Sequence, residues 1–366
     1  MTTTAARTAF VSPFWDFLAI GGISLLHYLL FRYFMPTVTA MDAGLENLLG
    51  VSISGAWVAA YLVWAVNHPH FSATSARLYR SRSLMMQFPV TALGIPVLVT
   101  VFALLAMAYP TIVAPWFTKL FMYWSSYHFS AQTLGVSVLY ARRNGLTLTP
   151  LARRALAIFI FSTYLAPTLR AESYAEPSNY YGIILPLLGL PPFLWDVFQW
   201  ILALSAVASV LLIARCAKTT HQRVSVLIFV PAVTQFVWFI PGGAIEGFRE
   251  FVPAYHSLQY LFIAWIMQLR EKQVERNLAP SRRYVRLETL RWLAVNVAGG
   301  VFLFYLLPTG AQQLGFAAEP FQTWGIVIAA VQIHHFFVDG VIWKLKNPAV
   351  GQPLMTDLDE LQGAPR

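Results

Sequence analysis

Residues 321–343 read FQTWGIVIAAVQIHHFFVDGVIW, with Asp339 the only side chain carrying a fixed charge. A helix that crosses a bilayer needs about 20 mostly apolar residues, and this run supplies them. Lipid offers the backbone no hydrogen-bond partners, so such a run is expected to be helical. Its polar content is as informative as its length. His334, His335 and Asp339 sit inside an apolar segment. An ionisable group at bilayer depth is costly and persists where it faces a partner, a cavity or a metal.

Outward from this run the pattern repeats. About ten apolar stretches of spanning length can be drawn, namely Phe14–Met35, Leu48–His68, Phe88–Tyr109, Pro115–Tyr140, Leu151–Leu169, Phe193–Ala214, Val224–Ile240, Phe248–Leu269, Glu288–Leu307 and Phe321–Trp343. The expected fold class is therefore all-α, a polytopic membrane protein. Residues 1–347 would form one helical domain and 348–366 a polar, disordered cytoplasmic tail. Composition agrees: of the 366 residues 57% are hydrophobic and 11% charged, with mean hydropathy +0.58. A soluble chain would carry about 25% charged residues.

The net charge of +9 is distributed as an orientation signal. Arg77, Arg80, Arg82, then Arg142, Arg143, Arg153, Arg154, then Arg215, Lys218, Arg223, the connection from Arg270 to Arg291, and Lys344 with Lys346 all fall in alternate loops. The other loops carry Asp42, Glu46, Glu172, Glu176, Glu246, Glu250 and Glu319. That asymmetry places both termini in the cytoplasm of a bacterial-type inner (plasma) membrane. No basic arm with interleaved aromatics stands apart from the spans, so nucleic acid is not an expected partner. The first stretch has no small-residue cleavage site and reads as an uncleaved helix, not a signal peptide. Tyr180–Pro192 is apolar but short and rich in proline and glycine, which suits a re-entrant or interfacial piece. Cys216 is the single cysteine and reads as an inert thiol.

Seven of the eight histidines, His27, His68, His70, His128, His256, His334 and His335, lie in or at the ends of these stretches. Proline disfavours helix in the residue before it, so Asn67-His68-Pro69-His70 is expected to be extended, with both imidazoles on one side and able to share a metal. The alternative is a polar helix end wetted by headgroups. His128 has Gln132 one turn on, and is read as either a ligand or a buried hydrogen-bond partner. His256, with Gln259 and Tyr260 able to orient it, is a candidate ligand, a support for one, or packing. Adjacent helical side chains diverge by about 100°, so His334 and His335 would serve two metals, or only one of them is a ligand. Asp339 shares the face of His335 as a ligand or an acceptor fixing its ring. His27 has no local partner at helical spacing, and Asp16 reads as a helix-end charge.

The candidate metal ligands are thus His68, His70, His128, His334, His335 and Asp339, with His256. Trp124, Tyr127, Gln132, Gln259, Tyr260 and Asn67 are the candidates to line a pocket or support the ligands. Imidazoles with a carboxylate suit iron, copper or zinc. No catalytic zinc spacing, nucleophile elbow, phosphate loop or dinucleotide fingerprint occurs.

With these dispersed intramembrane histidines the chain resembles the histidine-rich polytopic membrane oxygenases. One such group is the bacterial β-carotene dioxygenase family related to the bacteriorhodopsin-associated protein. The other is the fatty-acid desaturase and alkane hydroxylase class, whose His-x-x-x-His and His-x-x-His-His boxes this sequence lacks. The resemblance implies non-haem iron, one or two atoms, acting with O2 on a lipid-soluble substrate by hydroxylation, desaturation or cleavage. Copper and haem come second. A redox partner protein and membrane lipids are the other partners it implies. The rival expectations are a haem- or quinone-linked electron-transfer protein, a transporter relaying protons through histidine, and an assembly partner of a larger complex.

Overall fold

The computed structural model describes residues 8–34, 55–174 and 177–363. Asp42, Glu46 and Glu176 of the acidic loops, and the start of the second stretch, lie outside the described residues. The described chain is all-α apart from two two-residue strands, and a helix stands at each of the ten stretches. These are α1 (Pro13–Tyr33), α2 (residues 55–79), α3 (Val90–Ala108), α4 (Ala114–Arg143) and α5 (Pro150–Tyr174). They continue as α6 (Phe193–Thr220), α7 (Val230–Phe239), α8 (Val252–Glu275), α9 (Arg282–Gln312) and α10 (Pro320–Ile342).

Five of them, α1, α3, α6, α9 and α10, are long and apolar enough to cross a membrane. Helix α7 has 10 residues, about 15 Å, half the thickness of a hydrocarbon core of about 30 Å. Helices α2, α4 and α8 carry buried polar side chains: His70 and Thr74, then His128 and Ser130, then His256, Ser257 and Gln259. They are less apolar because they build the interior.

Two irregularities position that interior. In α1 the backbone breaks at Gly21, whose φ of 152° suits glycine, and a Cβ there would collide with the Thr234 side chain. The break frees the Ile20 carbonyl, which accepts from Gln259 Nε2. In α2 a π turn, Val63–Asn67, runs directly into the helix His68–Tyr79. Proline lacks the N–H that a regular helix would use, and the widened turn absorbs Pro69 without breaking the rod. The expected extended geometry at 67–70 is therefore overturned: His68 and His70 are helical and point to different sides.

The segment after α5 is a small hairpin, not a span. β1 (Asn179–Tyr180) pairs antiparallel with β2 (Ile183–Ile184), with Tyr180 opposite Ile183. It is tied down by Glu172, which accepts from Lys119 Nζ at 2.8 Å and from the Leu188 N–H at 2.7 Å.

The expected disorder of the tail gives way to short packed helical turns. Leu354 and Leu361 are fully buried. The Leu358 N–H donates to the Phe10 carbonyl at 2.8 Å. Arg143 bridges both ends of the chain, donating to the carbonyls of Ala9 and Leu354, each at 2.7 Å. Asp16 is likewise more than a helix-end charge. It is buried, and accepts from the N–H groups of Phe10 and Val11 and from the Tyr140 hydroxyl.

Candidate metal centre

Helices α2, α4 and α10 bring four buried side chains to one point: His70, His128, His335 and Asp339, with one ligand atom from each inside 4.8 Å of all the others. This cluster could hold a metal ion. Three of the atoms make a near-regular triangle. His128 Nε2 and His335 Nε2 are 3.2 Å apart, and Asp339 Oδ2 is 3.3 Å from His335 Nε2 and 3.6 Å from His128 Nε2. Ligands about 2.0–2.2 Å from a tetrahedral metal stand about 3.3–3.6 Å from one another, so the edges match a metal-sized hole.

The outer hydrogen bonds favour the same use. Ser257 gives its single hydroxyl proton to Asn67 Oδ1 at 2.7 Å, so its oxygen must accept from His70 Nδ1 at 3.0 Å. That fixes His70 as the Nδ1–H tautomer and leaves Nε2 a free lone pair, the arrangement a ligating imidazole needs. His70 Nε2 is buried and has no hydrogen-bond partner among the described residues. Asp339 is held through its other oxygen: Oδ1 accepts from Thr74 Oγ1 at 2.9 Å and from Trp343 Nε1 at 3.2 Å. Its Oδ2 is left to face the imidazoles. Tyr260 continues the chain, its hydroxyl 2.5 Å from Thr74 Oγ1.

His256 stands beside this group. Its ring stacks on Phe129 with centroids 3.9 Å apart, and lies 5.2 Å from the His70 ring and 5.1 Å from the His128 ring. Both of its nitrogens are buried without partners among the described residues, as is His335 Nδ1. Gln132 donates to the His256 carbonyl at 2.9 Å. Neither Gln259, spent on the Ile20 carbonyl, nor Tyr260 bonds the His256 ring, so the orienting role expected of them falls elsewhere.

The remaining histidines lie outside the cluster. His68 stacks face to face on Phe304 with centroids 4.1 Å apart. His334 leaves α10 on another face and meets the Tyr79 hydroxyl at 2.9 Å. His27 bonds the Tyr255 hydroxyl, a partner 228 residues away that no local spacing could reveal. His221, with φ 53°, caps the end of α6.

A cavity of about 350 Å³ reaches the cluster at His128 and Asp339. Trp124, Tyr127, Gln132 and Tyr260 line it, together with Phe336 and Trp343. Thr74, Ser257 and Trp343 are the supporting residues the sequence reading missed. Two had a local signal, since Thr74 is four residues after His70 and Trp343 four after Asp339, each on the same helical face. Ser257 had none, because it serves a histidine on another helix. No known family model, curated protein or solved structure matches the chain.

Proposed function

We propose that the chain is an integral-membrane metalloenzyme that binds non-haem iron through His70, His128, His335 and Asp339 and oxidises a lipid-soluble substrate with O2. The observation that carries this reading is the triangle of two imidazoles and one carboxylate backed by a third imidazole, with a mostly apolar cavity at its edge. Two histidines and a carboxylate on one side of a metal, with open positions on the other, are the donor set of non-haem iron oxygenases. An iron ion in that setting supplies the binding and activation of O2.

The chain's own residues do the rest. Ser257 and Asn67 hold the His70 tautomer, and Thr74 and Trp343 hold the carboxylate. His256, with two unpartnered nitrogens, is a fifth ligand or part of a second metal position. The aromatic wall of Trp124, Tyr127 and Phe336 binds a chain by contact area and excludes water from the reacting end. The ten helices would all be membrane elements, with α7 paired to its neighbours at half depth, and both termini would lie in the cytoplasm. A haem is a poorer fit, since four donors converging on one point leave no plane for a porphyrin.

The test is metal analysis by mass spectrometry on protein purified in mild detergent, beside O2 uptake with membrane lipid extracts. One or two iron atoms per chain, lost together with O2 uptake in His335→Ala, are expected. Folded protein that takes up no iron after reconstitution with ferrous ion would overturn the proposal.

A further inference from the structure

The cavity beside the metal cluster is built like a slot, not a chamber. Tyr127, Ala131 and Gly135 are spaced four apart on α4 and share one face, and Gly340 of α10 lines the same space. Tyr127, Ala131 and Gly340 are exposed at the outer surface of the bundle, while Leu345 and Leu354 line the space at the tail. The opening is therefore sideways, between two helices, and among the described residues its exposed rim carries no charged side chain.

The two glycines explain the width. A Cβ added at Gly135 or at Gly340 would meet no atom within 4 Å. Glycines that serve helix packing look different here: a Cβ at Gly300 would fall 2.9 Å from the His68 backbone. Glycine weakens a helix relative to alanine, so two glycines without a packing reason, both lining one cavity, keep that cavity open. Its inner end is the polar one, where His128, Asp339 and Gln132 stand.

We propose that this slot admits one acyl or isoprenoid chain from the bilayer, and that Gly135 and Gly340 set its bore. The inference rests on the lipid-oxidising reading only for what happens at the inner end. The slot itself binds the chain with or without metal. The uncharged rim selects a hydrocarbon segment over a headgroup, and the glycine walls select a slender chain over a fused-ring sterol.

The test is photolabelling in phosphatidylcholine nanodiscs with palmitic acid carrying a mid-chain diazirine, read by peptide mass spectrometry. Labelling of peptides spanning residues 124–139 and 336–343 is expected to exceed that of the exposed face of α6 around Trp200 and Leu204. In Gly135→Phe/Gly340→Leu it should fall about ten-fold, with α6 labelling, thermal midpoint and bound iron retained. Gly135→Leu alone gives an intermediate loss and serves if the double variant fails to fold. A sterol diazirine should label α6 and not the slot. Slot labelling equal to that of α6, or unchanged in both glycine variants, would overturn the proposal. His335→Ala separates the two ideas. That variant is expected to lose iron and still label in the slot. Wild-type protein that labels in the slot but takes up no ferrous ion leaves this inference standing and sinks the enzyme, whereas iron-loaded wild type that does not label there does the reverse.

Discussion

His128 Nε2 and His335 Nε2 face each other at 3.2 Å across 207 residues of sequence, with Asp339 Oδ2 beside both. Without a cation, the two nitrogens can share only one proton, and the carboxylate must take its partner from what remains. A divalent ion uses all three lone pairs at once. It also satisfies His70 Nε2, a buried polar atom that otherwise has no hydrogen-bond partner among the described residues.

Metal is therefore expected to stabilise the fold as well as the site. Binding to the native state alone contributes about 2.7 kcal/mol when free metal stands 100-fold above its dissociation constant. Stripping with a membrane-compatible chelator should lower the thermal midpoint, and adding ferrous ion should restore it. In His128→Ala the midpoint should no longer respond to either treatment. A wild-type midpoint indifferent to chelator would count against a structural contribution from metal.

Ser257→Ala isolates the tautomer argument. It removes the acceptor for His70 Nδ1–H and leaves every ligand in place. Loss of such an outer hydrogen bond weakens metal affinity about 10–100-fold. Competition against a chromophoric chelator measures this directly, and Ser257→Thr, which keeps the hydroxyl, should retain most of the affinity. Equal affinity in wild type and Ser257→Ala would mean that the ring is held by packing alone.

Much of the architecture was legible because run length is a physical requirement in lipid. A helix stands at each apolar stretch, five of them long and apolar enough to cross, and α7 is the shortest, with Pro231 in its first turn and Pro241 just past its end bounding 10 helical residues. What the sequence hid was direction. The faces of α10 are nearly all apolar, and the one local hint that His335 points inward is Asp339 four residues on; nothing local says where His334 goes. Only the packing of α10 against α2 and α4 decides it. The His68-Pro69-His70 reading failed for a different reason. A proline rule describes regular backbone, and the π turn over Val63–Asn67 changes the backbone that the rule assumes. The tail misled through its polarity, since Val350, Leu354 and Leu361, set among polar residues, are the ones that dock.

His68 and His334 supply the contrast to the cluster. His334→Ala removes a bond to the Tyr79 hydroxyl near the surface and should leave bound metal unchanged, with stability altered by about 1 kcal/mol. His68→Ala empties the space against Phe304 and should lower stability by about 1–3 kcal/mol, again with metal retained. Metal analysis beside denaturation of each variant checks both. Loss of metal from either one at full folding would show that the four-residue cluster is not the whole binding site.

At the far end of the bundle, the Lys119–Glu172 pair gives the fold a pH dependence of its own. Both side chains are buried. Burial pushes the Glu172 carboxyl up, but hydrogen bonds from Lys119 and the Leu188 N–H, with the Lys119 charge, outweigh it and hold the carboxyl below its ordinary value of 4.5. A carboxyl whose folded value is depressed binds fewer protons in the native state than in the unfolded chain. Its contribution is therefore complete above pH 4.5 and is lost as pH falls through the lower folded value. The thermal midpoint should drop on acidification below that point in wild type. Glu172→Gln should be less stable at neutral pH by about 3–5 kcal/mol, because Lys119 is left buried without its counter-charge. The same variant should show a shallower fall in acid. If it shares the wild-type acid slope, another carboxylate controls the transition. The hairpin at 179–184 should loosen with the pair, since Glu172 also holds the Leu188 N–H and Lys119 holds the Pro186 carbonyl. Faster proteolysis within residues 177–192 in Glu172→Gln, with the metal site intact, is the expected signature.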